Sequence, residues 1–102
     1  MYEIDGSFYD WDENKHEANI KKHGINFYEA ASVFLDPHVV EQYDFEHSID
    51  EDRFIAIGIS EKLNMLIVCH CYRGDDDIIR IISARYASKR ENEIYGGASW
   101  KI

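Results

Sequence analysis

The chain has 102 residues, with 20 acidic and 11 basic side chains and a formal charge of −9. That length gives one domain, residues 1–102, able to bury its own core, and the negative charge speaks against general affinity for polyanions. No run approaches the roughly 18 apolar residues of a membrane span, and the first residues lack the basic and apolar regions of a signal peptide, so a soluble cytoplasmic protein is expected.

The first seven residues are polar and are expected to fray, after which Phe8 to Trp11 suit a short edge strand. Asp12 is a good N-cap for a helix from Glu13 to about His23, and Gly24 can take the left-handed conformation that closes it. Lys21, Lys22 and His23 fall in the last turn, where cations complement the helix dipole. Asn26 and Glu29 have capping-box spacing, and Phe27, Ala30, Ala31 and Phe34 form one apolar helical stripe. Asp36-Pro37 ends this second helix, because proline disfavours the α region for the residue before it.

Val39 and Val40 lead into an acidic connection, residues 41–52, expected to be exposed. From Arg53 the pattern becomes that of strands. Ile55, Ile57 and Ile59 share one face, and a turn at Glu61 to Asn64 returns the chain into Met65 to Tyr72. Gly74 and three aspartates then turn it into a strand from Ile78 to Tyr86. Ser88 and Glu91 form a capping box for a last helix. The tail carries Trp100 and Ile102, which are expected to dock. The organisation predicts an α+β fold: two N-terminal helices on an antiparallel meander, followed by a C-terminal helix.

Charge is distributed unevenly along this chain. Residues 1–52 hold 14 acidic and 3 basic side chains, whereas residues 53–102 hold 6 acidic and 8 basic. A segregated distribution can still offer a local cationic face to phosphate. Strict alternation sends Arg80 and Arg85 to opposite faces, so both can line one site only if a bulge or strand twist re-aims one of them.

Cys69 and Cys71 stand at i and i+2 of one strand, a spacing that seldom bridges, and His70 points away from both. No C-x-x-C, H-E-x-x-H or H-x-x-x-H pattern exists, so no metal or other cofactor is expected. The absence of a Gly-rich phosphate loop or G-x-S-x-G elbow removes support for nucleotide hydrolysis and serine esterase chemistry. Metal-free RNA cleavage could use the groups that remain: Lys22, His23, Arg53, Arg80, Arg85, Lys89, Arg90, Tyr86 and Tyr95. It requires a base for the 2′-hydroxyl, an acid for the leaving 5′-oxygen and fixed positive charge for the phosphorane. Each arginine could equally be a solvated strand-edge residue or the partner of a carboxylate.

Collinear blocks over about residues 8–95 resemble the BrnT toxins of bacterial toxin-antitoxin systems. They are Phe8-Tyr9-Asp10-Trp11-Asp12-Glu13-Asn14-Lys15, Ala18-Asn19-Ile20, Lys22-His23-Gly24-Ile25-Asn26-Phe27-Tyr28-Glu29-Ala30 and Val33-Phe34-Leu35-Asp36-Pro37. His47-Ser48, Asp50-Glu51-Asp52-Arg53-Phe54, Ile57-Gly58, Arg80-Ile81-Ile82-Ser83-Ala84-Arg85-Tyr86-Ala87-Ser88-Lys89-Arg90-Glu91 and Tyr95 continue them. The resemblance implies a RelE-like fold, a ribonuclease that arrests translation with RNA as substrate, and neutralisation by a DNA-binding, BrnA-like antitoxin. A homodimer or toxin-antitoxin hetero-oligomer would fit. Carried across by position, the resemblance points to Lys22, His23, Arg53, Arg80, Arg85 and Tyr95 as catalytic, without saying which is base or acid. The competing reading is a non-catalytic module, a toxin relic that acts by binding a partner protein. The strong negative charge departs from the basic character usual for RNA-cleaving toxins of this fold.

Overall fold

In the computed structural model, which describes residues 1–97, six strands form a single sheet backed by two helices on one face and by a third on part of the other. The elements in chain order are β1 (Tyr2–Ile4), β2 (Ser7–Asp10), α1 (Glu13–His23), α2 (Phe27–Ser32), a 3-10 turn (Val33–Leu35), β3 (Val40–Tyr43), β4 (Phe54–Ile59), β5 (Met65–Arg73), β6 (Ile78–Tyr86) and α3 (Lys89–Tyr95). The sheet order is β1-β2-β6-β5-β4-β3. All neighbours are antiparallel except β2 and β6, which run parallel. The predicted meander over residues 53–86 is thus β4-β5-β6, the centre of a larger sheet.

Three expectations are corrected at the margins. Residues 2–4, expected to fray, form the outer strand of a hairpin whose two-residue turn places Asp5 and Gly6 at φ 49° and 81°. Tyr2 is held there by stacking on Trp11, with ring centroids 4.1 Å apart, and by donating its hydroxyl to Glu13 at 2.9 Å. Consequently Phe8 to Asp10 lie in an inner strand, between β1 and β6, rather than at an edge. The start of the acidic connection, expected to be loop, is β3 paired to β4. Trp100 and Ile102 lie outside the described residues.

Local signals place the helices. Asp12 Oδ1 accepts from the N–H groups of Asn14 and Lys15, and Gly24 closes α1 at φ 74°. Asn26 caps α2 by accepting from Glu29 N. The reciprocal half of that capping box is absent, because the Glu29 carboxylate accepts instead from Ser60 Oγ at 2.7 Å and Asn64 Nδ2 at 2.9 Å. Glu29 is buried, so these bonds satisfy its charge while pinning the β4–β5 turn to α2. The main core lies between these helices and the sheet, built from Tyr9, Trp11, Ile25, Phe27, Val33, Leu66, Val68, Ile81 and small alanines. A second, smaller cluster of Ile57, Ile67 and Ile94 seats α3 on the opposite face. Gly58 permits the close approach of the 3-10 turn, since a Cβ there would stand 2.8 Å from Val33 Cγ1.

Candidate active site

The arrangement of the site begins with a register shift in β6. Cys69 pairs with Ser83 and His70 with Ile81, which leaves Ile82 as an extra residue in β6. A bulge of this kind reverses the alternation beyond it. Arg80, Ser83 and Arg85 therefore lie opposite Cys71, Cys69 and Ile67, three residues on one face of β5. The condition set by the sequence for Arg80 and Arg85 to share a face is met here. That face is the one turned away from α1 and α2, and α3 covers only its Ile57 and Ile67 end.

Arg53, immediately before β4, continues the row occupied by Cys71 and Arg80, because Phe54 pairs with His70. Arg73 ends β5 on the same side and donates from Nη1 to Cys71 Sγ at 3.1 Å. Four of the five arginines in the chain thus share one sheet face, despite the charge of −9. Arg73 is the member that sequence reasoning missed; its place at i+2 and i+4 from the two cysteines was the available signal.

Every one of these arginines has a carboxylate neighbour. Arg80 Nη1 donates to Asp10 Oδ2, across the parallel pair that sets Asp10 beside it. Arg85 donates from both terminal nitrogens to the two oxygens of Glu91, at 2.7 and 2.8 Å. Glu91 also completes the capping box of α3 by accepting from Ser88 N, so one carboxylate joins strand end to helix start. The Arg85 guanidinium holds Glu91 down at about 2, and Glu91 raises Arg85 in turn. Arg73 pairs with Glu51 at 2.8 Å, which lowers Glu51, and Arg53 approaches the same carboxylate at 4.0 Å. The side chains of Arg53, Arg80 and Arg85 nevertheless stay 34%, 29% and 45% exposed.

Two clefts meet at the bulge. One, of about 430 Å³, is lined by Lys15, Asn19, Lys22, His23, Ile82, Ser83 and Arg85. The other, of about 150 Å³, is lined by Asp44, His47, Arg53, Cys69, Ile82 and Ser83. Lys22 and His23 reach this place because α1 is anchored to β6 by Asn19. Its Oδ1 accepts from Ala84 N at 3.0 Å, and its Nδ2 donates to Ala84 O and Ile25 O at 2.9 Å each. The amide acts as a missing strand, pairing the edge of β6 beyond the short β2. Sequence reasoning did not single out Asn19; a carboxamide in the middle of a helix otherwise rich in charge was its only signal.

Of the expected site residues, Lys22, His23, Arg53, Arg80 and Arg85 are gathered on or beside the arginine face. Tyr95 is not. Its hydroxyl donates to Asp36 Oδ2 at 2.6 Å, in a separate apolar hollow with Pro37, His38 and Ile59. That carboxylate raises the Tyr95 hydroxyl above its ordinary range, making it a poorer proton donor. Among the remaining groups of the larger catalogue, Tyr86 falls on the helix side opposite Leu66, and Lys89 opens α3. Another cleft, of about 500 Å³, is lined by Glu51, Asp52, Phe54, Tyr72, Arg73 and Asp76, a mainly acidic border that disfavours phosphate.

A helix-backed sheet whose opposite, open face collects arginines defines a small α+β domain. The chain belongs to the BrnT family: the family profile described as ribonuclease toxin, BrnT, of type II toxin-antitoxin system, matches residues 11–91. Its structure is similar to the crystal structure of the Brucella abortus ribonuclease toxin, BrnT, with a TM-score of 0.60 and 28% identity over 81% of this chain and 100% of that one. No curated protein matches the chain.

Proposed function

We propose that this protein is an endoribonuclease that cleaves single-stranded RNA on the open arginine face, in the manner of a RelE-like toxin. The observation that carries this reading is the bulge at Ile82, which aligns Arg80, Ser83 and Arg85 on the face that Arg53 borders. Cleavage makes the 2′-hydroxyl attack its own phosphate, and the phosphorane gains negative charge as it forms. Arg80 is the best-suited group to meet that charge. It spends one nitrogen on Asp10, and a guanidinium has five donors in a fixed fork. Among the described residues the carboxylate nearest to Arg53 is that of Glu51 at 4.0 Å, so Arg53 adds a second cation in the adjoining row. Arg85 is committed bidentately to Glu91 and serves mainly to fix the strand end against α3. Lys22 and His23, at the α1 side of the bulge, add charge and a proton donor.

Side chains alone supply the acid, base and electrostatic parts of this mechanism, so cleavage is metal-independent and yields a 2′,3′-cyclic phosphate and a 5′-hydroxyl end. In the cell the activity inhibits translation in the cytoplasm, and a DNA-binding antitoxin neutralises it by covering the face. The test is purified protein incubated with single-stranded RNA and excess chelator, with and without ribosomes. Cleavage in either case supports the reading.

A second reading has its own observation. Arg53, Arg73, Arg80 and Arg85 all have carboxylate neighbours. A face neutralised in this way suits a non-catalytic module that binds a partner protein. Tight binding to the partner encoded beside it, with no cleavage under any of these conditions, would decide for that module.

A further inference from the structure

The β3–β4 connection, read from the sequence as an exposed acidic loop, carries a built imidazole–carboxylate pair. Asp44 is 8% exposed, and its Oδ2 lies 2.9 Å from His47 Nδ1, while its Oδ1 accepts from His47 N at 3.2 Å. The same turn is clamped to Arg53. Asp44 N donates to Arg53 O at 2.8 Å, Ser48 Oγ donates to Asp44 O, and Arg53 N donates back to Ser48 Oγ at 2.9 Å. His47 and Arg53, the latter through its backbone, are therefore tied into one hydrogen-bonded unit. Both line the 150 Å³ cleft that ends at Ile82 and Ser83, on the arginine face. That volume matches about five waters, enough for a phosphate and its attached hydroxyl.

We propose that His47 is the general base of the cleavage reaction and that Asp44 is its positioning residue. This rests on the ribonuclease reading above. A buried carboxylate beside Nδ1 can only accept, so it selects the tautomer with the proton on Nδ1 and leaves the lone pair on Nε2. Nε2 takes the 2′-hydroxyl proton as that oxygen bonds to phosphorus. The bond from phosphorus to O5′ breaks with its electron pair on O5′, which takes a proton from protonated His23 on the other side of the bulge. His47 ends protonated and His23 neutral, and exchange with solvent restores both. The charged and titratable groups lining the cleft around His47 are Asp44, Arg53 and Cys69.

His47 is exposed, so variants there should fold. Single-turnover cleavage and RNA binding are measured for the wild type, His47→Gln, His47→Gly with and without free imidazole, Asp44→Asn and, as an imidazole control outside the site, His38→Gln. The expected result is a loss of about 100-fold or more in rate for both His47 variants, the scale of general base catalysis. Binding should change less than about threefold, imidazole should restore the His47→Gly rate in part, and His38→Gln should match the wild type. Asp44→Asn should also lose rate, because an amide no longer enforces the tautomer. Wild-type cleavage with His47→Gln within about threefold overturns the assignment and leaves the ribonuclease reading standing. No cleavage by the wild type, ribosomes included, overturns both.

Discussion

Replacing Asn19 with Ala removes the carboxamide that stands in for a strand along the free part of β6. Three hydrogen bonds are lost, two of them to the backbone N–H and C=O of Ala84 and one to Ile25 O. All three are buried, and Asn19 itself is 6% exposed, so water does not readily take the place of the amide. At about 1 kcal/mol for each bond the loss is about 3 kcal/mol, and more if the Ala84 groups remain fully unsatisfied. For a domain of this size that lowers the melting temperature by roughly 12–24 °C. Urea denaturation followed by circular dichroism measures the stability change, and a thermal melt gives an independent check. Because α1 carries Lys22 and His23 to the cleft, the variant should also cleave RNA more slowly at temperatures where it remains folded. A loss smaller than about 0.5 kcal/mol, the lower end for a single bond, would refute the claim that Asn19 seals the edge.

The core and the acid limb of stability offer two more tests. Gly58→Ala places a methyl group 2.8 Å from Val33 Cγ1 and 3.3 Å from Asp36 Oδ2, and should cost about 1–3 kcal/mol in urea denaturation by overpacking the contact between β4 and the 3-10 turn. Glu91 is held at about 2 against an ordinary value of 4.5, chiefly by Arg85. A depressed carboxylate stabilises the fold above its unfolded value and loses that contribution as pH falls through its folded one. Urea midpoints of the wild type should therefore fall toward those of Glu91→Gln between about pH 4.5 and 2, and the gap between the two should be largest above pH 4.5. Tyr95→Phe should leave the cleavage rate within about twofold, since the hydroxyl serves Asp36 and not the arginine face.

Much of the central fold was legible because its signals are local. Asp12, Gly24, Asn26, Ser88 and Glu91 are caps with fixed spacings, and each acts as its residue type predicts. The three long strands carry β-branched runs bounded by turns. The margins were lost for separate reasons. Asp5-Gly6 is a strong two-residue hairpin signal, but Ile4 and Ser7 flank it with too little apolar patterning to show a strand. In β3, the inward positions are filled by Glu41 and Tyr43, and Glu41 accepts from Tyr72 across the sheet, so charge disguises the alternation. The parallel pairing of β2 with β6 joins residues 70 positions apart, which no local pattern encodes.

The site divides along the same line. Arg53, Arg80 and Arg85 could be named as residue types near a strand, yet the face they share depends on one extra residue at Ile82, which the sequence Arg-Ile-Ile-Ser does not mark. Tyr95 shows the reverse. A tyrosine at the end of the last helix looked available for proton transfer, but the approach of Asp36 gives its hydroxyl a structural partner. Asp44 and His47 sit only three residues apart, but that they share a cleft with Arg53 and the bulge shows only in the fold.

The central claim, that the open sheet face stabilises a cleaving phosphate, is tested most directly by Arg80→Ala. RNA cleavage and binding are compared with those of the wild type, and a thermal melt shows that both are folded. The expected result is a fall of about 100-fold in cleavage rate with a much smaller change in binding, because the charge Arg80 meets grows in the transition state. A wild type that cleaves and an Arg80→Ala variant that keeps the same rate would contradict the account.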